Sequence, residues 1–154
     1  MAFVTEQTIE ETMDAIQNGA DIQAQWNAFA EEERDISEFL FSESFEILTK
    51  PERDYLLFLS LVIYKSAKIY FPDQKIILSK IEKAEELNWD LWSKIKTGSF
   101  KERLDPFFEN TDQEDLLSLI EDALFYEEDE VLTKVGREPM FVALKTLVDV
   151  LTNT

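Results

Sequence analysis

Two runs of acidic residues contain the side chains whose type and spacing could do chemistry. They comprise Glu31, Glu32, Glu33 and Asp35 in one run and Glu127, Glu128, Asp129 and Glu130 in the other. Carboxylates are ligands that Mg²⁺ prefers, and Glu31 and Asp35 are one helical turn apart. A metal-dependent hydrolase would also need inward-facing acids on a second helix and a substrate pocket, and the sequence shows neither. Solvated acidic surfaces explain both runs more simply, so we expect no metal site.

Histidine and cysteine are both absent from the chain. Without them it cannot form a Ser-His-Asp triad, an imidazole general base or a thiolate zinc site. The sequence also lacks a glycine-rich phosphate loop, a G-x-S-x-G nucleophile motif and an EF-hand loop. We therefore expect no catalytic residues and no cofactor.

The charge of the chain is strongly negative and unevenly distributed. The total is −18, with net charges of −11 in residues 1–48, +3 in residues 49–104 and −10 in residues 105–154. A surface of this kind repels nucleic acid and attracts basic proteins. The same acidity also keeps a protein soluble, which is the simpler explanation of the composition.

Trp89 and Trp92 lie in the lysine-rich middle segment, where aromatic and basic residues together could suggest a nucleic-acid surface. Glu82, Glu85 and Glu86 are interleaved with the lysines, so we expect no direct nucleic-acid binding. Tryptophans are usually core residues, but an exposed tryptophan can anchor a protein interface. The candidate interaction surface therefore consists of the two acidic runs together with Trp89 and Trp92.

Helix-capping patterns recur along the chain, and no stretch alternates with the period of two that a strand requires. The sequence predicts an all-α compact bundle of about six to seven helices, in a single domain spanning residues 1–154. Its central helix should follow the capping box Thr49–Glu52, because residues 56–63 are apolar on every side. A kink is expected within residues 31–35.

The other helix boundaries are predicted from capping residues and helix breakers. We expect a first helix after a Thr8–Glu11 capping box and a lysine-rich helix after Asp73, with a candidate break at residues 88–90. The last helix is expected to begin near Pro139, because proline is tolerated only in the first turn, and to turn Lys145 away from the core.

One phrase is written nearly twice, as EILTKPER at residues 46–53 and EVLTKVGR at residues 130–137. Shifted by 84 positions, residues 36–53 match residues 120–137 at nine of eighteen positions, where average composition would give roughly one. This indicates a duplicated helix-turn-helix hairpin, residues 36–64 and 120–148. Convergence of two helix junctions on similar capping residues is the alternative. Gly136 departs from the pattern, because the first copy has Glu52 there.

The N-terminus lacks a signal-peptide pattern, and the most apolar run, residues 55–64, is too short to span a bilayer. We expect a soluble, cytoplasmic protein without a membrane partner. The favoured function is a non-enzymatic interaction module for a basic protein, as in inhibitors, immunity-type proteins and mimics of nucleic acid. The alternatives are a structural or adaptor protein that self-associates, and a carboxylate–Mg²⁺ hydrolase.

Overall fold

The computed structural model describes residues 2–96, 98–125 and 132–152, and this part of the chain forms a compact all-α bundle without a β-strand. Its helices are α1 (Glu6–Gln17), α2 (Ile22–Glu32), α3 (Arg34–Leu40), α4 (Lys50–Tyr70), α5 (Leu78–Lys94), α6 (Phe100–Arg103), α7 (Asp105–Glu109), α8 (Glu114–Phe125) and α9 (Lys134–Thr152). A single 3₁₀ turn, Glu43–Phe45, lies between α3 and α4. The fold class expected from the sequence is therefore confirmed.

The helices outnumber the six to seven expected, because two regions divide into shorter segments. Glu33 leaves the helical conformation at φ −122° and ψ 70°, which separates α2 from α3 where a kink was expected. The segment after Gly98 forms two short helices, and Pro106 lies in the first turn of the second. Gly98 itself has a φ of 107°, a left-handed conformation that favours glycine.

The centre of the bundle is the pair α4 and α9, which pack against each other more extensively than any other two helices. Val62 and Ile63 of α4 and Leu144 and Leu147 of α9 have no exposed surface. The helices α1, α5 and α8 pack around this pair. Within the described residues, no helix has both the length and the apolar character needed to cross a membrane.

The first helix begins three residues earlier than a Thr8–Glu11 capping box would place it. Its N-cap is Thr5, whose hydroxyl accepts a hydrogen bond from the Thr8 N–H. Asp115 of α8 also contributes, because its Oδ2 accepts the Glu6 N–H at 2.9 Å. A carboxylate 109 residues away along the chain thus helps to fix where α1 begins.

The lysine-rich helix begins at Leu78, so the start predicted after Asp73 is wrong. The cap of this helix comes from another part of the chain, because Asp35 Oδ2 accepts the Leu78 N–H at 3.0 Å. Local sequence contains no sign of a cap supplied across the fold. The expected position was therefore set by the nearest capping residue along the chain.

A buried polar network between α5 and α9 explains two further corrections. Asn88 is 6% exposed, and its Nδ2 donates to Thr146 Oγ1 at 3.1 Å and to Asp149 Oδ2 at 3.0 Å. The helix runs through residues 88–90 unbroken, because this amide is used in tertiary packing rather than in a local turn. Lys145 is 7% exposed and pairs with Asp149, so it does not face away from the core.

The last helix begins at Lys134 rather than near Pro139. Thr133 is positioned as its cap, because its hydroxyl accepts the Gly136 N–H at 3.0 Å. Pro139 lies inside the helix and cannot donate a hydrogen bond to the carbonyl of Val135. Val135 is 62% exposed in the first turn, where water can reach the freed carbonyl. The cost of an internal proline is therefore reduced at this position.

One side chain caps both central helices. Glu52 has no exposed surface, and its Oε1 accepts the Thr49 N–H at 3.0 Å, completing the predicted capping box of α4. Its Oε2 accepts hydrogen bonds from the N–H and the hydroxyl of Thr133, both at 3.0 Å. A Cβ at Gly136 would lie only 2.7 Å from the Glu52 carboxyl carbon. The glycine that interrupts the repeated phrase therefore makes room for this shared carboxylate.

The burial of matching positions is consistent with the repeat where both copies are described. Ile36 and Ile120 are buried, as are Leu40 and Leu124, whereas Phe41 and Phe125 are both exposed. In each copy a helix is followed by a second helix whose cap is a threonine. The turn that the duplication predicts for the second copy would include residues 126–131, which lie outside the described part of the chain. Duplication of residues 36–64 and 120–148 stays a prediction.

Candidate interaction surface

The first acidic run lies at the break between α2 and α3. Glu31 and Glu32 are exposed in the last turn of α2, and Glu33 is half-buried at the break. Asp35 is half-buried and has a structural role as the cap of α5. The structure therefore leaves Glu31 and Glu32 exposed and gives Asp35 a role in the fold.

The carboxylates of this run affect one another's ionisation. Burial raises the pKa of Glu33, and the neighbouring Glu32 and Asp35 raise it further; Lys68 and a hydrogen bond with Tyr64 lower it without reversing the shift. Burial, together with the charges of Glu33 and Glu32, also raises the pKa of the Tyr64 hydroxyl. Burial is thus the main cause of both pKa shifts, and the neighbouring carboxylates add to it.

The second acidic run, Glu127, Glu128, Asp129 and Glu130, lies outside the described residues. Within the part of the chain that is described, no group of three acidic side chains is arranged to hold a metal ion. Glu31 and Asp35, the pair that suggested a Mg²⁺ site, do not form such a group with any third described carboxylate. The described geometry thus gives the hydrolase alternative no support.

The two tryptophans of the candidate surface differ in their surroundings. Trp92 is 3% exposed and lies among core aromatic rings, with the centroid of Phe141 at 5.4 Å. The Arg103 guanidinium lies over the Trp92 ring at 4.0 Å. Trp92 is therefore not an exposed anchor, which corrects its place in the candidate surface. Trp89 is half-buried and remains partly accessible.

Two hollows along one side of α1 form a more definite site. The first has a volume of about 420 Å³, and its lining includes Glu6, Glu10 and Met13 of α1 with Asp115, Leu119 and Asp122 of α8. The second has a volume of about 580 Å³, and its lining includes Ile16 of α1, Ile22 of α2 and Phe58 of α4. We call these two hollows together the α1 groove.

The α1 groove was not predicted, although part of its signal is present in the sequence. The spacing of Ile9, Met13 and Ile16 places them on one face of α1, and the structure buries Ile9 and Ile16 but leaves Met13 half-buried. Acidic residues flank this apolar face, as at Glu6 and Glu10, one helical turn apart. A helix whose charged residues are all acidic could have been recognised from the sequence. The pairing of this helix with α8 could not.

Comparisons with known proteins leave the function to be argued from this geometry. No protein-family model matches the chain, and no curated protein or solved structure is significantly similar to it.

Proposed function

We propose that the protein is a non-enzymatic interaction module that uses its acidic surface to bind a basic protein. The main support is the state of the carboxylates in residues 1–48, where ten of the twelve acidic side chains are exposed. None of the twelve forms an ion pair with a described residue. Carboxylates that form no ion pair within the described residues can pair with the cations of another protein without first breaking a salt bridge of their own.

The basic residues of the acidic segment 105–154 contribute little positive charge to the surface. Of its three basic residues, Lys145 is buried and Arg137 is half-buried, with its guanidinium 5.1 Å from the centre of the Phe100 ring. Only Lys134 is exposed. Turning cations inward leaves the outer surface more negative than the composition alone implies, which favours attraction of a basic partner over long distances.

The partner that this surface fits is a basic protein, in the way that nuclease inhibitors, immunity-type proteins and mimics of nucleic acid fit theirs. We place the protein in the cytoplasm, with no membrane partner. Nucleic acid itself would be repelled by the same carboxylates. The proposal therefore concerns protein–protein recognition in which electrostatic attraction sets the association rate.

Affinity capture from native lysate at about 0.1 M and about 1 M salt tests the proposal, because the Debye length falls from about 10 Å to about 3 Å between them. We expect basic proteins to be retained at the lower concentration and released at the higher one. A variant with Glu31→Gln and Glu32→Gln should retain less, since it lacks two exposed carboxylates. Capture of only salt-insensitive partners, or of none, would contradict the proposal.

A matched variant changes the charge in the opposite direction. Lys80 and Lys83 are exposed on α5, and replacing both with glutamine makes the protein more acidic by two charges. Retention of the basic partner should then be equal to or greater than that of the wild type. Equal losses in both variants would show that the substitutions act on something other than charge.

A second candidate function, a self-associating structural or adaptor protein, is favoured by one apolar region. Phe41 is 59% exposed and Ile47 is 58% exposed, and Phe41 borders a hollow of about 320 Å³ that is also lined by Leu40 and Phe45. Light scattering after gel filtration distinguishes the candidates. A dimer that Phe41→Ser converts to a monomer, together with salt-insensitive function, would support self-association.

A thermal-shift measurement with Mg²⁺, Mn²⁺ or Ca²⁺, with and without nucleotides, tests the hydrolase alternative. An ion that binds the folded state raises the unfolding temperature in proportion to the logarithm of its concentration. We expect no such increase at millimolar metal. A metal-dependent increase that Glu31→Gln abolishes would revive the alternative.

A further inference from the structure

The α1 groove follows one face of a single helix for nearly its whole length. The lining residues that α1 contributes fall on one face of the helix, because their spacings follow the helical repeat of 3.6 residues: Glu6, Ile9, Glu10, Met13, Ile16 and Gln17. From Glu6 to Gln17 the helix rises about 17 Å, or three turns. The groove thus has the length of a short helical segment rather than that of a small molecule.

The floor of the groove is apolar. Met13 and Leu119 are half-buried in the first hollow, and Ile22 at the edge of the second is 45% exposed. Phe58 contributes a half-buried ring to the second hollow. Apolar surface of this kind gains free energy when a partner removes it from water.

The rim of the first hollow carries negative charge on both sides. Glu6 and Glu10 belong to α1, and Asp115 and Asp122 belong to α8. No lysine or arginine lines either hollow. Asp115 uses one oxygen to accept the Glu6 N–H, and its other oxygen has no hydrogen bond to a described residue. The rim therefore selects for cations at both edges of whatever occupies the floor.

We propose that the α1 groove binds an amphipathic, basic α-helix of the partner protein. The inference rests on the proposed function and specifies where and how the basic partner docks. Apolar side chains of that helix, spaced at i, i+3 or i+4 and i+7, lie on Met13, Leu119 and Phe58. Its lysines or arginines flank this stripe and meet Glu10 on one rim and Asp122 on the other. The groove thereby requires an apolar stripe and basic flanks together.

Charge complementarity distinguishes this occupant from a second copy of the same chain. Two copies docked through the groove would bring their acidic rims together, and like charges opposed across an interface are unfavourable. An acidic or uncharged helix would cover the apolar floor but would bring no cations to the four carboxylates of the rim. The basic amphipathic helix is the occupant that satisfies both features.

A synthetic helical peptide of about 14 residues, with a leucine stripe flanked by lysines, serves as the probe because its length covers about three to four turns. Its controls are a scrambled peptide of the same composition and a peptide with glutamate in place of lysine. Fluorescence anisotropy should show that only the amphipathic basic peptide binds the wild-type protein, with an affinity that decreases as salt increases. Equal binding of the scrambled peptide would contradict the inference that the groove recognises an amphipathic helix.

Two pairs of protein variants locate the binding. Glu10→Gln with Asp122→Asn should weaken binding about three- to tenfold, because two exposed ion pairs are removed. Glu38→Gln with Glu86→Gln changes the net charge equally at exposed positions that do not line the groove, and should weaken it less than twofold. Met13→Gln should weaken binding about three- to tenfold, whereas Leu87→Gln, at a residue that is 62% exposed on α5, should have no effect.

The outcomes separate this inference from the proposed function. If Glu10→Gln with Asp122→Asn and Glu38→Gln with Glu86→Gln weaken binding equally, binding depends on the overall negative charge. That result would contradict binding in the groove but would agree with the proposed function. If the wild-type protein shows no salt-sensitive binding to basic proteins, both the groove inference and the proposed function are contradicted. A dimer of the wild type that Met13→Gln dissociates would assign the groove to a second copy instead. Urea unfolding of each variant checks that its fold is retained.

Discussion

The carboxylate of Glu52 occupies the space that a side chain at Gly136 would need. The two residues hold the same position in the two copies of the repeated phrase, 84 residues apart. One copy supplies the carboxylate, and the other supplies the room for it. The N-termini of α4 and α9 are thereby joined through one buried residue that forms four hydrogen bonds with Thr49 and Thr133.

Replacing Gly136 with alanine should destabilise the protein by about 1–3 kcal/mol, because the new Cβ overlaps the Glu52 carboxyl group. In most helices the same change stabilises, by up to about 1 kcal/mol. The free energy of unfolding, measured in urea, should therefore decrease in the wild-type background. In a Glu52→Ala background the cost should disappear. An equal cost in both backgrounds would show that the overlap is not its source.

The stability that Glu52 contributes should depend on pH in a direction set by its pKa. Burial raises the pKa of Glu52, but the hydrogen bonds from Thr133 and Thr49 outweigh it and hold the pKa below its usual value of 4.5. The unfolded state therefore takes up a proton first as the pH falls. The contribution of Glu52 is complete above the unfolded pKa and is lost as the pH falls through the folded pKa.

Glu52→Gln should accordingly cost about 1–3 kcal/mol near neutral pH, where the amide cannot accept all of these hydrogen bonds. The difference from wild type should decrease in urea titrations carried out at successively lower pH below 4.5. Glu85 provides a control of opposite sign, because burial raises its pKa despite a hydrogen bond with Trp89. A pH-independent cost at Glu52 would contradict the capping role.

Moving the carboxylate from one copy of the phrase to the other tests the equivalence of the two hairpins. Each single change, Glu52→Gly or Gly136→Glu, should destabilise strongly: the first removes the cap, and the second crowds two carboxyl groups together. The double variant should recover at least half of the summed loss, because the relocated carboxylate would then face both threonine caps. Urea unfolding of the three variants measures the recovery. Simple additivity of the two losses would argue for convergence rather than duplication.

Asn88→Asp should be among the most destabilising isosteric changes in the chain. It removes the two donors to Thr146 and Asp149 and places a buried carboxylate beside that of the half-buried Asp149. We expect a loss of about 2–4 kcal/mol in urea unfolding, most of it recovered in acid, where the carboxylate is protonated. Asn27→Asp is the matched control, because Asn27 is exposed and its oxygen accepts from Gln23, which aspartate can also do.

The sequence is sufficient to predict the fold class and the features that depend on neighbouring residues. The capping box at Thr49 and the break near Glu33 are formed by residues close together in the chain, and both are present. The start of α5 was predicted wrongly because its cap, Asp35, comes from another helix. The start of α9 was predicted wrongly because Pro139 lies inside the helix that Thr133 caps, rather than in its first turn. Proline and asparagine suggested breaks that tertiary contacts override.

The candidate interaction surface, too, could be predicted only where it depends on neighbouring residues. Composition and spacing indicate an acidic exterior, and the structure exposes Glu31 and Glu32. Trp92 could not be assigned from the sequence, because an aromatic residue beside a charged one suits either a core or an interface. The α1 groove depends on the pairing of α1 with α8, which no local pattern encodes.

The hydrogen bonds between residues 2–6 and the N-terminal end of α8 join two parts of the chain that are far apart in sequence. Gln113 accepts the Val4 N–H and donates to the Ala2 carbonyl, each at 3.0 Å, and Asp115 holds the start of α1. During synthesis, α1 leaves the ribosome long before these partners are made. The groove therefore cannot form until both α1 and α8 have been synthesised. The basic helix proposed above could meet both rims only after Asp115 and Asp122 of α8 have been synthesised and have packed against α1.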